Sequence, residues 1–336
     1  MTSPDNQAAR PRPESLARSL ASALAILALA GLPIAAAAGN PYWLDVLAYT
    51  YLFAGLASAW NIIGGFGGQF SLGHGVFFAV GAYTVARLHL VFGLSPWLAL
   101  PVAALLGVLI SLAISWPTFR LKGPFFAIAT MAVNEVGLVL VNSLEWLTGG
   151  PQGLLIPFRP SFAAMIFTER WKSTLLMFGF MALVVVTSLL VRRGRLGHYL
   201  LALRANEDAA RAAGVGVLRA KLLGMAISAA GTAVGGGLFA MYIRVLDPPA
   251  LFSLPEVGVK FALIALIGGI GTVFGPLLGA FAIVPAETLL RASLSDITPG
   301  GHLIVLSIVL ILAARFFRRG IVGTWTAFRR RMRERA

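Results

Sequence analysis

The chain has 336 residues, 58% of them hydrophobic and 12% charged, with a formal net charge of +14 and no cysteine. The charged share is about half that of an ordinary soluble domain, too little to clothe a water-soluble fold, and the lack of cysteine excludes disulfides and thiolate metal sites. The positive balance first suggests a nucleic-acid partner, but Lys and Arg gather in short stretches beside long apolar runs, as in membrane proteins, so no nucleic acid is expected.

Residues 1–15 are polar, carry Arg10 and Arg12, and read as a disordered cytoplasmic tail. The first apolar run is Leu16–Ala38. Its basic flank and its end in Ala35-Ala36-Ala37-Ala38 also suit a cleaved signal peptide. The run of about twenty residues beyond Arg18 exceeds a usual signal core, so a retained helix is the preferred reading. Further helix candidates are Asp45–Ile63, Gly75–Phe92, Pro96–Trp116, Phe125–Leu147, Ser173–Val191, Leu222–Ile243, Val257–Val273, Pro276–Leu290 and His302–Phe317. The runs are long and do not alternate, which predicts helices rather than barrel strands. The expected fold is an all-α integral membrane protein of about ten spans, over residues 16–317, followed by a basic cytoplasmic tail over 318–336.

Orientation follows from the basic residues. With the N-terminus inside, the inner segments hold Arg10, Arg12, Arg18, Arg120, Lys122, the group from Arg192 to Lys221 and the tail from Arg315 to Arg335. The outer segments keep only Arg159, Arg170, Lys172, Arg244 and Arg291, with Arg87 and Lys260 near outer helix ends. Ten spans with both termini inside satisfy the positive-inside rule at every basic loop. Two outer segments, Thr148–Lys172 and Arg244–Glu256, are long enough to present a docking surface, or they simply connect helices. A weak internal echo joins Gly64-Gly65-Phe66-Gly67-Gly68 to Gly268-Gly269-Ile270-Gly271. Each follows an inward-going helix, as repeats in transporters do, although glycine pairs also recur for helix packing.

The one long polar interval, 192–221, contains Arg204-Ala205-Asn206-Glu207-Asp208-Ala209-Ala210-Arg211-Ala212-Ala213-Gly214. Asn206 is a candidate N-cap. Glu207 and Asp208 fall in the first turn, where the helix dipole favours carboxylates. Arg211 lies in the last turn, and Gly214 suits the left-handed residue past a helix end. The predicted helix has about two turns, too short to stand alone in water. It needs a surface to lie on, and its alanines admit a second backbone. Bulk at Ala210 is expected to block that approach and spare the helix. The alternative is a solvated connecting helix.

No phosphate-binding loop is present, nor the His-Glu-x-x-His or Gly-x-Ser-x-Gly patterns of hydrolases. The four histidines show no ligand spacing, so no catalytic or metal site is expected. Glu135, beside Asn134, lies mid-way along an apolar run; a carboxylate there either faces a pathway or is a hydrogen-bonded packing residue. Gln69-Phe70-Ser71-Leu72-Gly73-His74-Gly75 joins two spans, and Gln69, Ser71 and His74 are its polar groups. Such a glycine-flanked segment can line a cavity at membrane depth, or it is a short turn with His74 solvated.

The segment from Gln69 to Phe78, followed by Gly81-Ala82-Tyr83-Thr84, resembles the signature of the LivM-type permeases of branched-chain amino-acid ABC importers. Arg120-Leu121-Lys122-Gly123-Pro124-Phe125-Phe126-Ala127-Ile128-Ala129-Thr130 resembles it too. So do Thr148-Gly149-Gly150 with Gly153-Leu154, and Gly268-Gly269-Ile270-Gly271-Thr272 with Gly275-Pro276. The matches run in order from about Tyr51 to Phe317. Importer permeases of this broad class carry a Glu-Ala-Ala-x-x-x-Gly core that docks on an ATPase. Asp208-Ala209-Ala210-Arg211-Ala212-Ala213-Gly214 has that spacing with Asp for Glu.

The resemblance implies a coupling helix containing Asn206, Glu207, Asp208, Ala209, Ala210, Arg211 and Gly214. It also implies a bacterial inner-membrane location and alternating access. The implied partners are a second permease of LivH type, two ATPases of LivG and LivF type that would bind the ATP, and an extracytoplasmic binding protein. This chain itself would hold no cofactor. The implied substrates are branched-chain or related hydrophobic amino acids, although the family also handles urea, amides and aromatic acids. A proton-coupled secondary transporter using Glu135 is the alternative, with Gln69, Ser71, His74, Asn134 and Glu135 as tentative pathway residues in either case.

Overall fold

The computed structural model describes residues 16–37, 39–121, 123–294 and 320–324. The expected tail over 1–15, the candidate span His302–Phe317 and the expected tail over 318–336 apart from 320–324 lie outside the described residues. Helices follow one another as α1 (Leu16–Ala36), α2 (Pro41–Asn61, continued by a π-helical turn over Ile62–Phe66), α3 (His74–Phe92), α4 (Pro96–Thr118), α5 (Pro124–Ser143) and the single turn α6 (Glu145–Thr148). Then come α7 (Arg170–Arg193), α8 (Arg195–Ala205), α9 (Glu207–Ala212), α10 (Val217–Ile243), the short α11 (Pro248–Leu251), α12 (Lys260–Gly269, entered through a π turn over Leu254–Val259) and α13 (Gly275–Leu294).

Seven helical segments among the described residues are long and apolar enough to cross a membrane: Pro41–Phe66, His74–Phe92, Pro96–Thr118, Pro124–Ser143, Arg170–Arg193, Val217–Ile243 and Pro248–Gly269. The chain is thus an all-α, multi-pass membrane protein. Of the other two long helices, α1 is apolar over Ala23–Ala36 and α13 carries Glu287 and Arg291 near its end.

α2 starts cleanly because the Asn40 side chain accepts the Tyr42 N–H and Pro41 occupies the first helical position. It has no polar face and is buried along nearly its whole length from Leu44 on, as expected of a helix apolar all round. α7, α10, α12 and α13 pack about it. Tyr51 of α2 donates to the Ala30 carbonyl at 2.6 Å, which ties α1 to this core. Without a hydrophobic drive between helices in lipid, close packing of small residues has to hold the bundle. At the α3–α10 crossing a Cβ on Gly236 would lie 1.9 Å from the Phe78 carbonyl oxygen, so only glycine fits there. α4 and α5 are the opposite of α2: α5 buries only Phe126, Thr130 and Asn134, and α4 a single stripe of small residues. Leu105, Leu109, Phe125, Ile128, Val136 and Val139 stand exposed along them.

Three details differ from the sequence expectations. The candidate Phe125–Leu147 stops at Ser143: Leu144 leaves the helical region at φ −92° and ψ 56°, and the Thr148 hydroxyl folds back within hydrogen-bond distance of the Val141 and Leu144 carbonyls, with one proton to give to one of them. The candidate Val257–Val273 begins earlier, on the Pro248-Pro249 turn, and ends at Gly269, whose carbonyl the Thr272 hydroxyl caps at 2.7 Å. The two long loops at the end opposite Arg192–Lys221 are joined to each other. β1 (Leu154–Leu155) pairs antiparallel with β2 (Val245–Leu246), with Leu154 opposite Leu246 and Leu155 opposite Val245.

Candidate functional site

The polar interval folds as a compact attachment on the basic end of the bundle. Arg192 and Arg193 close α7, and α8 leads straight to Asn206. Asn206 is extended at φ −161°, and its side-chain oxygen accepts the Ala209 N–H at 3.0 Å. Past the helix, the Val215 N–H reaches the Ala210 carbonyl and the Gly214 N–H the Arg211 carbonyl, both at 3.0 Å. Gly214 has φ +84°. These two bonds and the left-handed glycine make a Schellman cap, so both ends of α9 are satisfied locally.

One side of α9 is committed to the protein body. Ala210 is 6% exposed and packs with Leu203, Ala220, Val215 and Val217. Glu207 pairs with Arg211 at 3.2 Å and with Lys221 of α10 at 2.7 Å, and the Lys221 side chain is only 2% exposed. The other side is open: Asp208, Ala209, Arg211, Ala212, Ala213 and Gly214 face outward. The expectation for Ala210 is corrected here. Bulk at that position would push α9 off the bundle, and the alanines that a second protein can approach are Ala209, Ala212 and Ala213.

Arg204, just before the cap, reaches the other way. Its guanidinium donates to the Gly65 carbonyl at 2.6 Å. Asn61 joins the same place, donating to the Thr272 carbonyl and accepting the Gly271 N–H, each at 2.8 Å. The two glycine-rich segments that echo each other in the sequence therefore meet in space, beneath the residue that leads into α9.

The candidate pathway residues divide. His74 is fully buried, with Nδ1 3.1 Å from the Ser71 hydroxyl and Nε2 2.8 Å from the Ser228 hydroxyl. Ser228 spends its own proton on the Ala59 carbonyl at 2.7 Å. Nε2 must then be the donor and Nδ1 the acceptor, a neutral ring tying α3 to α10 and, through Ser228, to α2. The expected alternative of a solvated His74 does not hold. Asn134 is also buried; it donates to the Phe252 carbonyl at 2.7 Å, and its side-chain oxygen has no partner among the described residues. Ser71, His74 and Asn134 lie close together, since the Leu72 N–H bonds the Thr130 hydroxyl one turn before Asn134. Gln69 is half-buried at the surface, and Glu135 is exposed on the uncovered flank of α5.

A family profile described as "Branched-chain amino acid transport system / permease component" matches residues 42–314. The chain belongs to this family. It is 33% identical over 271 residues to the high-affinity branched-chain amino acid transport system permease protein LivM of Escherichia coli (strain K12), covering 74% of this chain and 63% of that protein. It is 27% identical over 282 residues to the probable permease protein LivH of Methanocaldococcus jannaschii, covering 76% of this chain and 84% of that one. The LivH protein of Salmonella typhimurium is 25% identical over 293 residues, covering 81% and 91%. The match spans a little under two thirds of the length of the LivM relative. No solved structure matches.

Sequence reading of this family member missed one charged group. Lys260 of α12 and Glu287 of α13 pair at 2.7 Å with side chains 14% and 8% exposed, and Arg291 links Glu287 at 3.6 Å to Glu256 at 3.2 Å. Lys260 also stands 4.3 Å from the centre of the Phe53 ring. The available signal was an acid and a base inside two adjacent apolar runs, which ought to be read as a pair. Lys260 served instead only to set orientation.

Proposed function

We propose that this chain is one of two permease subunits of an ABC importer in the bacterial inner membrane. It carries branched-chain or related hydrophobic amino acids delivered by an extracytoplasmic binding protein. The observation that carries the reading is α9: a helix capped at both ends, latched to the body by Glu207 and Ala210, with its small residues turned outward. That is the form a protein-docking helix needs, and the family to which the chain belongs supplies the partner, an ATPase subunit. The basic loops favour a cytoplasmic position for α9 and both termini, in a chain of ten spans. The uncovered flank of α5, with Glu135 as its only charged side chain, is then available to the second permease.

Mechanically, ATP binding and hydrolysis in the two ATPases move the α9 helices. Their attachments through Lys221 and Arg204 pass that motion to α10 and to the glycine segments at Gly65 and Gly271. The two permeases then rock about a shared pathway, in the manner of alternating access. Nothing in this chain binds ATP. The experiment is hydrolysis by the reconstituted complex, with and without leucine-loaded binding protein, against this chain alone. Stimulated hydrolysis by the complex and none by the isolated chain support the reading. A complex indifferent to the loaded binding protein would overturn it.

A further inference from the structure

At the end of the bundle opposite Arg192–Lys221, a cavity of about 390 Å³ opens between the start of α2, the start of α7 and the end of α10. Its wall is unusual for this chain because it gathers charge. Asp45 accepts from the Arg170 guanidinium and from the Tyr242 hydroxyl, the latter at 2.5 Å. The Tyr49 ring stands edge-on to Tyr242 at 5.6 Å. Arg244 adds a second guanidinium, held 4.6 Å from the centre of the Phe158 ring. Among the described residues it has no carboxylate partner and donates no side-chain hydrogen bond. One acid and two arginines leave the cavity with a net positive charge.

The backbone points to the same place. Among the described residues only Met165 and Arg244 are non-glycine residues with positive φ, at 53° and 65°, and both line this cavity. A left-handed conformation is unfavourable for such side chains, and it persists where the surroundings fix it, often at ligand clamps. Here the Arg244 carbonyl is pinned by the Ile156 N–H at 2.8 Å, and Met165 sits in the turn closed by the Ser161–Ile166 bridge.

The groups present form a complementary set. A guanidinium without a carboxylate partner suits a carboxylate. Asp45, with the Tyr49 and Tyr242 rings beside it, suits an ammonium. Met165, Met241 and Ile243 supply apolar wall, and the volume lies in the range of small-molecule sites. We propose that this cavity binds a free amino acid with a hydrophobic side chain, its carboxylate on Arg244 and its ammonium on the Asp45 and tyrosine side. The proposal rests on the importer reading, which puts this end of the bundle on the side where substrate arrives. The site is a holding position off the α5 flank, on a wall built by this chain alone.

The absence of cysteine makes a direct test possible. Thr168 is exposed and lines the cavity. In the assembled complex in proteoliposomes, Thr168→Cys gives a single permease thiol at the site in this chain. Its rate of modification is measured with L-leucine and, separately, with 3-methylbutylamine, which keeps the ammonium and lacks the carboxylate. Leucine should slow labelling several-fold and saturably, and the amine should not. Adding Arg244→Gln should raise the leucine concentration for half protection about tenfold or more. No protection by leucine overturns the proposal, as does equal protection by the amine or unchanged protection in Arg244→Gln. The comparison of the two probes needs no change at Arg244, so it stands even if that variant fails to assemble. ATP-driven leucine uptake in the same vesicles tests the importer reading separately: uptake without protection sinks the site alone.

Discussion

Replacing Glu207 with Gln removes the one carboxylate that contacts Lys221 among the described residues. In an exposed ion pair such a loss costs about 0.2–1 kcal/mol. Leaving a buried partner without its counter-charge costs about 3–5 kcal/mol. Here the Lys221 side chain is 2% exposed and that of Glu207 20%. The new amide still offers Lys221 an acceptor, so a value of about 2–3 kcal/mol is expected. The penalty falls on the docked state of α9, whose other direct contact with the body is the small Ala210 packing, while Arg204 holds the preceding α8 end. Local opening should rise about 30- to 150-fold. Hydrogen exchange reads this at the amides of Ala210, Ala213, Gly214 and Val215, whose bonds exist only in the folded attachment. Amides in the middle of α10 serve as controls. Lys221→Met in the same chain should restore most of the protection, because no buried charge is then left unpaired. Unchanged exchange at those four amides in Glu207→Gln would refute the latch.

Three further outcomes follow. Ala212→Trp should leave exchange on α9 unchanged and reduce co-purification of the ATPases, whereas Ala210→Trp, overpacking a contact only 6% exposed, should cost about 1–3 kcal/mol and expose the segment to protease. Cysteine at Ala205 should resist an impermeant thiol reagent in intact cells, and cysteine at Leu155, 71% exposed at the opposite end, should react; the reverse pattern inverts the topology. Glu287→Gln and Lys260→Met should each lower the melting temperature of the purified protein, as loss of one member of a buried pair of about 3–5 kcal/mol requires, while the double variant recovers much of it; a double variant no better than the worse single one would show that the pair is not coupled.

Much of α9 was legible because its causes are local. A side-chain cap at Asn206 and a left-handed glycine at Gly214 act within one or two turns, and so they can be read from eleven consecutive residues. Seven of the expected spans were legible for a similar reason, since hydropathy is a property of each segment. Most of what failed depended on how elements pack on one another. Which way Ala210 points is decided by Leu203 and Ala220. Burial of His74 depends on Ser228, 154 residues on, and the meeting of the glycine segments depends on Asn61 reaching Thr272, 211 residues on. The β1–β2 pair had no hairpin turn to announce it. The early stop of α5 came from a threonine beyond the expected last turn, a feature that hydropathy ignores. The cavity at Arg244 draws two or three residues from each of three helices and the rest from the loops, and together they form no motif in one dimension.

The most direct test of the central claim is uptake of radiolabelled leucine into proteoliposomes holding both permeases and both ATPases, with the loaded binding protein on the outer face. ATP is supplied to the ATPase side, and a protonophore is added in parallel. The account predicts uptake that requires hydrolysable ATP and persists when the proton gradient is collapsed. Uptake that proceeds without ATP and vanishes with the proton gradient would contradict it.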